Sequence, residues 1–257
     1  MNILFEIKNS IAFITLNRPE KLNAFNREMA IALQRKLEEC ESDISVRCVY
    51  ITGSGKAFSA GQDLSEVIDP NGAGMHKILS EHYNPIVKKI RHLNKPVVAA
   101  VNGVAAGAGA NIALCCDIVV ASESASFIQA FSKIGLIPDS GGTFFLPRLI
   151  GFQKSTAFMM LGDKIAAKEA EKIGMIYKYF PDEIFFSEAE KIAIILSKLP
   201  TKGLAFTKQA LNKSLQQNFQ DQLETEDYFQ QKAAATNDFK EGVAAFIEKR
   251  KANFKGD

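Results

Sequence analysis

Apolar and polar positions alternate twice near the start of the chain, in Leu4-Phe5-Glu6-Ile7 and Ile11-Ala12-Phe13-Ile14, on either side of Asn9-Ser10. A period of two, interrupted by turn-forming residues, predicts a β-hairpin over 4–16. The period then lengthens. Met29, Leu33, Leu37 and Cys40 recur at three- and four-residue spacing behind Asn26, which predicts a helix capped by that asparagine with one face in the core. Val49-Tyr50-Ile51 is apolar throughout, as befits a strand covered on both faces.

The same order returns further on: a strand over 97–101, a Gly/Ala-rich turn and helix over 103–114, and a strand over 118–121. Strand, turn and helix in alternation predict an α/β fold with a mainly parallel sheet. Beyond Gly162 the β signal fades and helical periodicity dominates, over 167–173, 187–199, 203–217, 221–235 and 238–251. The chain therefore divides into a sheet core over 1–195 and a helical region over 196–257. Residues 64–83, which include Asp69-Pro70-Asn71-Gly72-Ala73-Gly74, keep no clean period. They read as a mobile loop with a short helix, where ligand-shaping residues tend to lie.

Composition narrows the function classes. The 257 residues are 47% hydrophobic and 23% charged, ordinary for one large domain, alone or with a small appendage. A net charge of +2 is too small for a general nucleic-acid binder, and no basic run is interleaved with stacking aromatics. The start of the chain lacks the basic and apolar regions of a signal peptide, and no stretch approaches about 18 consecutive apolar residues, so a cytoplasmic protein that does not span a membrane is expected. Cys40, Cys48, Cys115 and Cys116 show no metal or redox spacing and read as reduced, buried fillers. His76, His82 and His92 read as surface residues.

Three catalytic signatures are excluded. Gly55-Lys56 resembles the end of a phosphate-binding loop, but position 50 is Tyr and position 57 is Ala, so the required Gly and hydroxyl are missing. Gly103, Gly107 and Gly109 do not make the dinucleotide fingerprint, and Ser59 and Ser140 lack the glycine two residues earlier that a nucleophile elbow needs. What remains are two small-residue turns, each after an apolar strand: Lys56-Ala57-Phe58-Ser59-Ala60-Gly61-Gln62-Asp63-Leu64 and Val101-Asn102-Gly103-Val104-Ala105-Ala106-Gly107-Ala108-Gly109-Ala110-Asn111. Such turns suit tight strand-to-helix packing. They also suit an oxyanion hole, in which two backbone N–H groups converge on one oxygen.

With Asn17-Arg18-Pro19-Glu20-Lys21-Leu22-Asn23-Ala24-Phe25 before them and Gly135-Leu136-Ile137-Pro138-Asp139-Ser140-Gly141-Gly142-Thr143 after, these turns resemble the four ordered signature blocks of the crotonase (enoyl-CoA hydratase/isomerase) superfamily. The likeness continues through Phe239-Lys240-Glu241-Gly242-Val243-Ala244-Ala245-Phe246 and Lys249-Arg250. The resemblance implies a spiral of ββα repeats followed by a C-terminal helical region that drives formation of a homotrimer or hexamer. It implies an acyl-CoA thioester as substrate, coenzyme A being part of that substrate, with no separate cofactor and no metal. By the same resemblance the oxyanion donors are the backbone N–H groups of Ala60 and Ala108, and main chain around Ala60, Gly61, Gln62 and Asp63 holds the adenine. Cations come from local lysines or from a neighbouring subunit's tail, with Lys56 and Lys255 as candidates beside their plainer reading as solvated lysines.

One departure bears on the reaction. The family's hydratases add water with two glutamates, and the matching positions here hold Asn111 and Phe131, neither of which titrates. The remaining carboxylate, Asp139, reads by itself as a helix cap or turn former. The resemblance instead makes it the acidic residue of the family's isomerases, in a pocket lined by Phe131, with Asn111 as a neutral hydrogen-bonding partner. One carboxylate suffices to shift a double bond or open a ring epoxide through a thioester enolate. Rival readings are a broad-specificity hydratase, a 4-chlorobenzoyl-CoA dehalogenase-like enzyme with a nucleophilic aspartate, and a non-catalytic scaffold. The dehalogenase branch also needs a pocket histidine, and no histidine falls in a signature block.

Overall fold

The computed structural model describes residues 1–68 and 72–257. Its strands are β1 (Ile3–Lys8), β2 (Ile11–Leu16), β3 (Cys48–Gly53), β4 (Ala57–Ser59), β5 (Val97–Val101), β6 (Val104–Ala106), β7 (Ile118–Ser122), β8 (Ser126–Ile128), β9 (Lys164–Ala166) and β10 (Lys178–Phe180). The predicted hairpin is β1 with β2, turned at Asn9 and Ser10 with φ of 53° and 59°, the left-handed conformation that a tight hairpin turn requires. A six-stranded sheet runs β1-β2-β3-β5-β7-β10 and is parallel from β2 onward. A second sheet runs β4-β6-β8-β9, with β9 antiparallel at its edge.

Each of β3, β5 and β7 passes at once into a short strand of the second sheet, β4, β6 and β8. Repetition of this step is the ββα spiral that the resemblance implies. It also corrects one boundary: residues 104–106 form a strand, and the helix expected from 103 begins at Gly107.

The helices are α1 (Arg27–Ser42), α2 (Leu64–Val67), α3 (Gly74–Lys77), α4 (Asn84–His92), α5 (Gly107–Leu114), α6 (Gly142–Ile150), α7 (Phe152–Leu161), α8 (Ala167–Lys172), α9 (Phe185–Ser197), α10 (Thr201–Ser214), α11 (Phe219–Ala234) and α12 (Asn237–Ile247). Asn26 caps α1 by accepting the Met29 N–H at 2.9 Å, and Met29, Leu33, Leu37 and Cys40 are all buried. Among the described residues no helix is long and apolar enough to cross a membrane.

Period two explains the layers. Val49, Ile51, Val97, Ala99 and Val101 point into the larger core with α1 and α4, whereas Cys48, Tyr50, Val98 and Ala100 point to the opposite face, where Phe185, Ala189 and Ala193 of α9 cover them. All four cysteines are buried and unpaired. Burial pushes the Cys40 thiol up to about 12, so it stays protonated and unreactive.

Other expectations differ from the structure. Residues 64–83 are largely helical: α2, α3 and a π-helical turn, Ile78–Tyr83. The Asp69-Pro70-Asn71 part of that expected loop lies outside the described residues. His82, read as a surface residue, is only 3% exposed, because the wider π turn rotates it inward; His76 and His92 are exposed. Strands β9 and β10 escaped sequence reading, since three residues are too few to establish a period. The division placed at 195/196 falls inside the last turn of α9, which ends at Ser197.

Two long cationic side chains fasten the C-terminal helices to the core. Lys208 of α10 donates to Asp117 Oδ2 at 2.8 Å and to the Ile90 carbonyl at 2.6 Å, while Arg47 donates to the carbonyls of Leu199 at 2.7 Å and Phe254 at 2.8 Å. Lys208→Met should remove a buried charge pair and strand the Ile90 carbonyl, with Arg91 still holding Asp117 at 3.3 Å. The expected loss is about 2–3 kcal/mol in denaturant unfolding. A loss below about 0.5 kcal/mol, the range of ordinary surface changes, would mean that the anchor contributes little.

Candidate active site

The first small-residue turn leaves β4 at Ser59 and is braced by the 17–25 segment. Asn23, fully buried, donates through Nδ2 to the carbonyls of Ser54 at 2.8 Å and Ala57 at 2.7 Å. Arg18 donates to the Ala24 carbonyl at 2.6 Å and to Asp63 Oδ2 at 2.8 Å. The other Asp63 oxygen accepts the Ser65 hydroxyl at 2.7 Å and caps α2. The Ser65 hydroxyl and the Arg18 guanidinium hold the Asp63 carboxyl below the usual range. That side chain is a clamp, and Asp63 is left to meet a ligand only through main chain.

Most backbone donors in this turn are spent internally. The Ala60 N–H donates to the Leu22 carbonyl at 2.8 Å, the Gly61 N–H to Ser59 Oγ at 3.2 Å and the Asp63 N–H to the Phe25 carbonyl at 2.9 Å. Ala60 therefore does not supply the oxyanion donor expected of it. Among the described residues, Gln62 carries the one N–H over 60–63 without an acceptor. The exchange of Phe25 and Gly61, whose N–H and carbonyl meet at 2.6 Å, forms a parallel bridge between Phe25 and Gln62, and this bridge turns the Gln62 N–H away from the chain.

The second turn ends β6 and opens α5, where the Ala108 N–H lies among the first-turn donors that a helix leaves unpaired. The two turns abut. Gly61 has φ of +93°, and a Cβ there would stand 2.8 Å from the Ala106 carbonyl oxygen and 3.5 Å from the Ala108 nitrogen. Only glycine permits both the backbone conformation and the approach.

One turn of α5 beyond Ala108, Asn111 is 1% exposed. Its Nδ2 donates to the Asp139 carbonyl at 2.9 Å and its Oδ1 accepts Gln129 Nε2 at 2.8 Å. Both ends of the amide are thus engaged by protein, so Asn111 sets the backbone position of Asp139. Phe131 is buried, with its ring edge 3.8 Å from where a Gly107 Cβ would sit.

Asp139 itself does not cap α6. That place belongs to Gly141, without a side-chain bond. The carboxylate accepts the Ser140 hydroxyl at 2.9 Å. Half-buried, it has a pKa above the usual value because burial disfavours the charge, an effect that the Ser140 bond opposes. Lys56 and Lys255 are exposed and form no ion pair among the described residues. Sequence reading missed the Gln62 donor and the braces at Arg18 and Asn23. The block over 17–25 marked the segment but not what its side chains hold.

Two adjacent, unpaired backbone donors, with Asn111 one helical turn beyond Ala108 bonded to the backbone of a half-buried carboxylate, make a site suited to charge development on a carbonyl oxygen. The family described as enoyl-CoA hydratase/isomerase matches residues 6–257. The chain is 43% identical over 257 residues to the 1,2-epoxyphenylacetyl-CoA isomerase of Escherichia coli (strain K12), covering 99% of this chain and 98% of that protein. It is 35% identical to the trans-2-decenoyl-[acyl-carrier-protein] isomerase of Streptococcus mutans, with 99% and 98% covered. Among solved structures, the enoyl-CoA hydratase from Bacillus anthracis superposes with a TM-score of 0.93 at 30% identity, covering both chains fully. The chain belongs to the enoyl-CoA hydratase/isomerase family.

Gly61→Ala should drive a Cβ into the Ala106 carbonyl and part the two turns. A displacement near 1 Å is expected to lower kcat/KM by about 10²-fold with the circular dichroism spectrum unchanged. An active Gly61→Ala protein would show that the apposition of the turns is not needed.

Proposed function

We propose that the protein is an acyl-CoA isomerase that forms a thioester enolate and acts on 1,2-epoxyphenylacetyl-CoA or a closely similar unsaturated acyl-CoA. The backbone N–H groups of Gln62 and Ala108 hold the thioester oxygen. Asp139 removes a proton from the carbon beside the thioester carbonyl, and the C–H electron pair moves into the enolate. As the enolate collapses, Asp139 returns the same proton at another carbon of the conjugated system; on the epoxide, the bond between the two oxygen-bearing ring carbons also breaks, its electrons joining the ring double bonds of the seven-membered oxepin, and the proton returns to the ring carbon next to the point of attachment. Nothing is added or lost, so one base serves both halves. A raised pKa on Asp139 suits both roles, since the acid formed midway must hold its proton long enough to return it.

The observation that carries this reading is the placement of Asp139 by Asn111. The position where the family's hydratases use one glutamate holds an amide whose oxygen and nitrogen are both engaged by protein, and the other holds the buried phenyl ring of Phe131. Water activation has no titrating group at either place, whereas a proton shuttle has Asp139. The similarity to a 1,2-epoxyphenylacetyl-CoA isomerase supports the choice of acyl group.

Asp139→Asn tests it. The expected result is a fall in kcat of about 10²-fold or more on 1,2-epoxyphenylacetyl-CoA and on a 3-enoyl-CoA, with thioester binding retained in a titration and crotonyl-CoA hydration negligible in both proteins. Stability carries a second signature. Because the folded-state pKa of Asp139 is raised, its contribution to stability is fully present below the unfolded-state pKa and is lost as pH rises through the folded-state value. Asp139→Asn should therefore melt higher than the parent at neutral pH, and the gap should close in acid. Undiminished turnover in the variant would remove Asp139 from the chemistry.

We further propose a cytoplasmic homotrimer or hexamer assembled through the C-terminal helices. Leu211, Phe219, Phe239, Phe246 and Ile247 are exposed on α10 to α12, Phe246 at 85%, and a row of large apolar side chains on one region marks a surface that associates. Light scattering at micromolar concentration should give a mass of three or six chains; a 28.2 kDa particle would exclude this assembly.

A further inference from the structure

Gln129 follows β8 and opens the 3₁₀ turn Ala130–Ile134, which carries Phe131. Its side chain does not cap that turn. It lies inside the fold, 1% exposed, with Nε2 donating to Asn111 Oδ1 at 2.8 Å. Polarity runs one way along the contacts that follow. The Asp139 carbonyl can only accept, so the Asn111 amide turns Nδ2 to it, at 2.9 Å. That leaves Asn111 Oδ1, also only an acceptor, on the other side, and Gln129 has to meet it with its own N–H. The consequence is an orphan: Gln129 Oε1 is buried and has no hydrogen-bond partner among the described residues. Buried carbonyls are seldom left in that state, and a methionine of similar length would fill the space with no carbonyl to strand.

What an amide does here that an apolar side chain could not is to fix which way round the Asn111 amide lies. Shape alone does not fix it. A Cβ on Gly142 would stand 2.6 Å from Asn111 Cγ and 2.8 Å from its Oδ1, so the start of α6 lies flat against the amide. Such a wall stops the amide from leaving its plane but does not tell oxygen from nitrogen, which are nearly the same size. With Oδ1 toward residue 139, two carbonyl oxygens would face each other and the loop would be pushed away. We propose that Gln129 is a positioning residue for the reaction: by donating to Asn111 it selects the amide orientation that holds the Asp139 carbonyl, and so sets where the Asp139 carboxylate stands. Gln129 touches no substrate and moves no proton in this account. The proposal rests on the reading of Asp139 as the base.

The test is Gln129→Met, followed through turnover of a 3-enoyl-CoA, thioester binding and melting temperature. Methionine removes the N–H and the orphan carbonyl together and leaves Asn111 Oδ1 without a donor, so one buried carbonyl is unpaired before and after the change. The melting temperature should therefore move little, and the thioester should bind in a titration with the parent's affinity. Turnover should not survive: kcat should fall about 10-fold or more, as a misplaced base requires. Asn111→Ala supplies the second arm. If Gln129 acts through Asn111, Gln129→Met should lower kcat no further in the Asn111→Ala background. An unchanged kcat in Gln129→Met overturns the proposal, as does a fall in kcat matched by a loss of affinity or of melting temperature, the mark of general loosening. Losses that multiply in the double variant also overturn it. Failure of the reading of Asp139 as the base is separately visible, because Asp139→Asn would then keep the parent's turnover.

Discussion

The hydrogen bond from the Ala60 N–H to the Leu22 carbonyl governs what the site can offer. A backbone donor has one proton to give, and over 60–63 the chain gives all but one of them to itself. The Phe25 bridge and the Ser59 hydroxyl complete this internal pairing. The unpaired Gln62 N–H is the remainder, and its direction is set because each neighbour is already bound. Preorganisation here follows from satisfied backbone on both sides of a single unsatisfied donor. The Arg18–Asp63 pair and the buried Asn23 amide hold the turn in that state, which explains why the 17–25 segment, remote from the chemistry in sequence, belongs to the site.

Asn111 plays the corresponding part for Asp139. A glutamate in its place would bring a charge into a position with almost no solvent contact. The amide instead joins Gln129 to the Asp139 backbone with no charge to desolvate. Gly142 makes this contact possible, since a Cβ on it would fall 2.3 Å from Asn111 Nδ2. With a neutral brace on α5, the carboxylate of this region is Asp139, in the loop before α6.

Period-two and helical patterns revealed the hairpin, the strands β3, β5 and β7, and the core face of α1, because each is long enough to repeat. The short strands were less legible. β6 was absorbed into the following helix, and β9 and β10 have three residues each, with no period to read. The four motif blocks located both turns and Asp139, and the replacements at 111 and 131 were plain from residue type alone. The unpaired N–H lies two residues beyond Ala60, where it was expected. Whether Ala60 or Gln62 is unpaired depends on partners at Leu22 and Phe25, more than thirty positions away, and no local pattern encodes that pairing. The inward turn of His82 was hidden for a related reason: one extra residue in a helical turn rotates every later side chain, and sequence periodicity assumes that the turn is regular.

The anchors at Lys208 and Arg47 tie together residues far apart along the chain: Lys208 meets Asp117 across 91 positions, and Arg47 meets Phe254 across 207. A ribosome releases the sheet and its carboxylate well before the lysine that completes the contact. Until α10 emerges, the Ile90 carbonyl lacks the Lys208 ammonium, and Asp117 keeps only Arg91 and the Val97 N–H as partners. Docking of the last helices then closes very long loops, a slow step for any chain, and the segment around Phe254 seals the guanidinium of a residue 207 positions earlier. The core is in this way sealed only after the segment around Phe254 has emerged.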